Sequence, residues 1–62
     1  RLVSVTTPVG PIRVKVASRA GATLNVAPEF DDCIGAARAH GLATKDVHAL
    51  ALRAYFDRPT AD

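Results

Sequence analysis

From Leu2 to Thr7 the chain alternates, with Val3 and Val5 on one side and Leu2, Ser4 and Thr6 on the other. This is the two-residue period of a half-buried strand. Pro8-Val9-Gly10-Pro11 interrupts it as a turn. Ile12, Val14 and Val16 then form a second alternating set, with Arg13 and Lys15 on the opposite face. After Ser18-Arg19-Ala20-Gly21, a third set places Leu24 and Val26 on one side and Thr23 and Asn25 on the other.

A slip of one residue turns a strand over, so matching apolar faces restricts the register. Pairing Val5 with Val14 and Val3 with Val16 leaves a four-residue loop, Pro8 to Pro11. Pairing Val16 with Leu24 and Val14 with Val26 leaves a three-residue loop, Arg19-Ala20-Gly21, with the glycine where a left-handed residue is needed. The expected meander has one apolar face, made by Val3, Val5, Ile12, Val14, Val16, Leu24 and Val26. On its polar face Ser4 and Thr6 meet Lys15 and Arg13, and Lys15 meets Asn25.

The period then lengthens to that of a helix. Pro28 suits a first helical position, and Glu29, Asp31 and Asp32 crowd the first turn, where the helix dipole favours negative charge. Phe30, Cys33, Ile34 and Ala37 form one apolar stripe, and Gly41 is a natural stop. Thr44 is the expected N-cap of a second helix. Its stripe of Val47, Leu50, Ala51 and Ala54 is widened by Leu52, Tyr55 and Phe56, leaving Asp46, Ala49, Arg53 and Asp57 on the solvated side. So broad an apolar face predicts contact with another chain or domain. The pattern therefore predicts an α+β domain over residues 1–57, a three-stranded antiparallel meander followed by two helices (βββαα), and a frayed tail over 58–62.

At 62 residues the chain is near the size at which one core supplies only a few kcal/mol of net stability. Its single cysteine excludes an internal disulfide and points to a reducing, intracellular setting. The start at Arg1 reads as a piece cut from a longer protein. No run approaches the roughly 20 apolar residues of a membrane span. Net charge is +2, too slight to identify a nucleic-acid binder, and the polar sheet face has no aromatic residues on which bases would stack.

Three groups of residues carry candidate chemistry. Arg13, Lys15 and Asn25 have the donors to hold phosphate oxygens, although spacing alone favours an ordinary solvated sheet face. Glu29, Asp31 and Asp32 suit a hard divalent ion, although the helix dipole alone accounts for them better on spacing. Cys33 shares the buried stripe and reads as a core residue. His40 stands seven residues further on, about 10 Å by helical rise, too far to share one ion. His40 and His48 have no neighbour at metal-ligand spacing.

Two ordered stretches, Thr7-Pro8-Val9-Gly10-Pro11-Ile12-Arg13-Val14-Lys15-Val16 and Asn25-Val26-Ala27-Pro28-Glu29-Phe30-Asp31-Asp32-Cys33, resemble the C-terminal domain of the LarC-type nickel insertion proteins. The resemblance covers roughly residues 5–52. Val9 stands where that family often has an aromatic residue, and Gly41-Leu42-Ala43-Thr44 replaces its usual Gly-Val-Pro-Leu.

The resemblance implies a CTP- and manganese-dependent nickel chelatase, a lyase of the cytoplasm. Such a protein inserts nickel into a pyridinium-3,5-bisthiocarboxylic acid mononucleotide, making the nickel-pincer cofactor of lactate racemase. It implies a ferredoxin-like parent domain, with this piece serving nucleotide binding and homo-oligomer formation and inactive alone. Arg13, Lys15 and Asn25 then become expected nucleotide contacts, and Glu29, Asp31 and Asp32 expected Mn2+ contacts. The nickel site is expected outside this piece. The alternative is a structural oligomerisation module with no ligand site.

Overall fold

The computed structural model describes residues 1–59. Strands β1 (Leu2–Thr7), β2 (Gly10–Arg19) and β3 (Ala22–Pro28) precede helices α1 (Phe30–His40) and α2 (Thr44–Asp57). The strands form one antiparallel sheet in the order β1-β2-β3. The βββαα order and the meander are as expected.

Outside a bulge at Leu24, both registers differ from the expected ones by two residues, which keeps the faces and changes the partners. In the first hairpin Val3 pairs with Val14 and Val5 with Ile12, and Thr7 meets Gly10 across the two-residue loop Pro8-Val9. Thr7 supports this tight turn. Its buried hydroxyl donates to the Gly10 carbonyl at 2.7 Å and accepts from the Val9 N–H at 3.1 Å, while Gly10 takes a φ of 101°. Pro11 is tolerated within β2 because it lies outside the span that β3 pairs.

In the second hairpin Arg19 meets Ala22, so the loop is Ala20-Gly21, with φ values of 53° and 82°. Two successive positive φ angles match the right-handed twist of the strands. The extra residue expected in the loop instead lies in the strand. Asn25 pairs with Ala17 and Thr23 with Ser18, leaving Leu24 at a bulge. Leu24 is consequently 65% exposed and leaves the apolar face to which it had been assigned.

The core lies between the sheet and both helices. It consists of Val5, Ile12, Val14, Val16, Cys33, Ala37, Val47, Ala51 and Tyr55, with Val3, Val9, Val26, Ala36 and Ala54 packed around it. Small residues dominate the helix faces, which lets α1 and α2 approach closely. Gly41 closes α1 as expected: at φ 66° its N–H, and at 2.9 Å that of Leu42, both reach the Ala37 carbonyl.

The helix starts differ from expectation. Pro28 ends β3, buried opposite Val14, and Glu29 is the N-cap of α1. Thr44 is already helical, behind an Ala43 cap that offers no side-chain hydrogen bond. Phe30 is 65% exposed, not buried. Tyr55 is buried and Phe56 exposed, their rings edge to face at 5.2 Å. Arg53 and Asp57 form the expected i, i+4 pair at 3.4 Å. The Arg58 guanidinium lies 4.3 Å from the centroid of the Tyr55 ring. Of the tail expected over 58–62, residues 60–62 lie outside the described residues. No helix among the described residues is long and apolar enough to cross a membrane.

Candidate functional site

The helices cover the face that carries Ile12, Val14 and Val16, so the odd-numbered residues of β2 point away from the core. Arg13 and Lys15 follow from this alternation and are exposed. Their side chains leave the same strand about 7 Å apart. Ser4 pairs with Arg13 on the β1 side. On the β3 side Lys15 meets Ala27, and Asn25 meets Ala17. Asn25 is thus a diagonal neighbour of Lys15, not its direct partner.

The shifted register also brings the start of α1 to Arg13. With Pro28 opposite Val14, Glu29 continues the ladder, and its N–H donates to the Arg13 carbonyl at 2.8 Å. One turn later Asp32 closes on the same residue. Its Oδ2 accepts the Arg13 backbone N–H and the Arg13 Nε–H, both at 2.9 Å, and its Oδ1 accepts from Nη2 at 2.7 Å. This is a side-on bidentate pair reinforced by the backbone. The Asp32 side chain is 19% exposed and that of Arg13 56%.

The pair explains the orientation of α1. Successive residues turn about 100° around a helix, so Phe30 stands about 200° from Asp32. Fixing Asp32 on Arg13, with Cys33 and Ala37 in the core, turns Phe30 to solvent.

Electrostatics follow the same contacts. The Arg13 side-chain and backbone hydrogen bonds lower the pKa of Asp32 to about 2. The Arg13 pKa is raised, first by its hydrogen bond to Asp32 and then by the Asp32 charge, with smaller contributions from Glu29 and Asp31. Burial, and then the Asp32 charge, push the Cys33 thiol up. A buried, protonated thiol is a packing group and not a nucleophile. His40 and His48 are exposed.

The residues expected to hold ligands are therefore brought together in part. Arg13, Lys15 and Asn25 share the uncovered sheet face, and Glu29, Asp31 and Asp32 gather at its Arg13 end. Among the described residues no three His, Cys, Asp or Glu side chains form a group able to hold a metal ion. Asp32, expected as a metal contact, directs both oxygens to Arg13. Arg13 and Asp32 stand 19 positions apart on different elements, so spacing alone does not group them. The second hairpin carries the signal: its two-residue Ala20-Gly21 loop, together with the bulge at Leu24, places the Pro28–Glu29 junction beside Arg13.

A second feature lies at the sheet edge. Thr23, Leu24, Asn25 and Val26 of β3 and Leu52 and Phe56 of α2 line an open cleft of about 470 Å³. Phe56 is 68% exposed.

Sheet, helices and charged face together define a small α+β domain that presents a fixed arginine, a lysine and an amide on an uncovered sheet. The chain belongs to the nickel insertion protein family, whose model matches residues 1–48. Two relatives named for nickel insertion share this stretch. The one from Myxococcus xanthus is 50% identical over 52 residues, and the one from Cyanothece sp. 43% identical over 47. These alignments cover 84% and 76% of this chain but only 13% and 12% of the relatives. A solved structure superposes with a TM-score of 0.84 at 30% identity, over 92% of this chain and 39% of the other. That structure is LarC2, the C-terminal domain of a cyclometallase involved in synthesis of the NPN cofactor of lactate racemase.

Proposed function

We propose that this chain is part of the C-terminal domain of a nickel chelatase that builds the nickel-pincer nucleotide cofactor of lactate racemase. In this reading the full-length protein, in the cytoplasm, inserts Ni2+ as a substrate into the pyridinium bisthiocarboxylic acid mononucleotide. This piece contributes CTP contacts from its polar sheet face and is inactive alone. The carrying observation is the arrangement of that face within a member of the nickel insertion family: Arg13 held in place, Lys15 beside it without an ion pair among the described residues, and Asn25 diagonal to Lys15.

The donor chemistry fits a nucleotide phosphate. Arg13 offers a planar fork, Lys15 a mobile point charge and Asn25 an amide that both donates and accepts. The fit to manganese is poorer, because no three ligating side chains converge among the described residues and Asp32 is engaged by Arg13. Glu29 and Asp31 remain to contact a hydrated ion carried in on the nucleotide, with Asp32 acting through Arg13. Charge favours such an ion. Arg13 lies near three carboxylates, Glu29, Asp31 and Asp32, so a bare polyphosphate gains little from its charge at that end. A divalent cation bound to the phosphates would offset the excess.

Calorimetry on the full-length protein tests this. CTP should bind in the presence of Mn2+ and bind less tightly without it, and Arg13→Ala and Lys15→Ala should each weaken binding by about tenfold. Unchanged affinity in both variants would remove the nucleotide site from this face. The exposed Leu52–Phe56 cleft supports a second reading, in which the piece serves only to join copies of the protein.

A further inference from the structure

A guanidinium carries five N–H donors arranged as two bidentate edges. In Arg13 the edge made by Nε and Nη2 is occupied by Asp32 at 2.9 and 2.7 Å. The second edge, formed by Nη1 and the remaining Nη2 hydrogen, makes no hydrogen bond among the described residues. Asp32 is itself held at the start of α1, and it accepts the Arg13 backbone N–H as well. The side chain is therefore fixed at both ends, by its own strand and by the first turn of the helix. Its exposed character is compatible with a ligand on the outer edge.

We infer that Asp32 is a positioning residue, which pins one edge of Arg13 so that the other meets a phosphate on the sheet face beside Lys15. The inference rests on the nucleotide reading above and adds a role for a carboxylate that would otherwise count among the metal contacts. Its physical basis is ordering cost. A free arginine must give up several rotamers when it binds, whereas a pinned one has already done so. Asp32 also cancels the Arg13 charge, so a purely Coulombic account predicts tighter phosphate binding when Asp32 is removed. The positioning account predicts the opposite sign.

The test is CTP affinity by calorimetry, with Mn2+ present, on full-length protein carrying Asp32→Ala or Asp32→Asn in the native and Arg13→Ala backgrounds. Asp32→Ala should weaken CTP by about tenfold. Asp32→Asn, which keeps an oxygen to accept one arginine N–H, should weaken it by less. Neither should have any further effect once Arg13 is alanine, because the pinned group is gone. Equal losses in both backgrounds would mean that Asp32 serves only the fold, and would overturn the inference. Unchanged or tighter binding in Asp32→Ala would overturn it too, while leaving the nucleotide reading intact if Arg13→Ala alone is weak. Should Arg13→Ala alone leave CTP affinity unchanged, Arg13 is no phosphate contact and this inference falls; the nucleotide reading falls with it only if Lys15→Ala is also without effect.

Discussion

At the scale of the residue, the Arg13–Asp32 pair joins stability to the candidate site. Asp32 has a folded-state pKa of about 2, below the ordinary aspartate value of about 3.9. A depressed carboxylate contributes stability that is complete above its unfolded pKa and is lost as the pH falls through its folded one. The contribution of Asp32 should therefore disappear between about pH 4 and pH 2. Urea midpoints followed by circular dichroism across this range should show the native domain losing its advantage over an Asp32→Asn variant, with the two curves converging near pH 2. A gap that stayed constant from pH 7 to pH 2 would show that the ionised Asp32 stabilises nothing. Cys33 illustrates the opposite case. Its thiol is the most reactive group by type, yet burial keeps it protonated, and it serves as a small core residue.

At the scale of the element, local chemistry accounts for some boundaries and not for others. Gly41 ends α1 because a left-handed residue is needed there. The start of α2 has no such device: Ala43 occupies the N-cap with extended φ and ψ of −73° and 142° and no side-chain acceptor. Serine fits that conformation and would accept a backbone N–H of the first turn. Ala43→Ser should stabilise the domain by about 1 kcal/mol, seen as a higher urea midpoint at unchanged slope. An unchanged midpoint would mean that the first turn of α2 is already satisfied. In β3 the bulge at Leu24 lets the strand keep Val26 opposite Val16 while its tip closes through a two-residue turn. That exchange moves one leucine from the core to the cleft.

At the scale of the whole molecule, a core built mostly of valine and alanine carries two exposed phenylalanines and two exposed leucines of its strands. Burying such side chains is worth about 1.5–3 kcal/mol each, so a domain this small has reason to associate. The cleft between β3 and α2 offers one such surface, since it brings Leu24, Val26, Leu52 and Phe56 together at a sheet edge. If copies of the protein join there, Phe56→Asp should reduce the mass of the full-length protein in light scattering and leave CTP affinity within about twofold. An unchanged mass would exclude the cleft as the joining surface.

The residues by themselves determined much of this chain. Two-residue alternation defined three strands and their faces, the change to helical spacing defined two helices, and the motifs around Arg13 and Asp32 pointed to the family. What alternation could not determine was register. A shift by two residues keeps every side chain on its face, so hydrophobic matching is blind to it, and loop geometry decided instead through the Thr7 hydroxyl and the left-handed Ala20-Gly21 pair. That same shift carried Glu29 and Asp32 to Arg13 and turned Phe30 outward. Composition and spacing had described a cationic group and an acidic group. Only the tertiary structure joined them, through Arg13 and Asp32, because an ion pair between residues 19 apart depends on where the chain crosses itself.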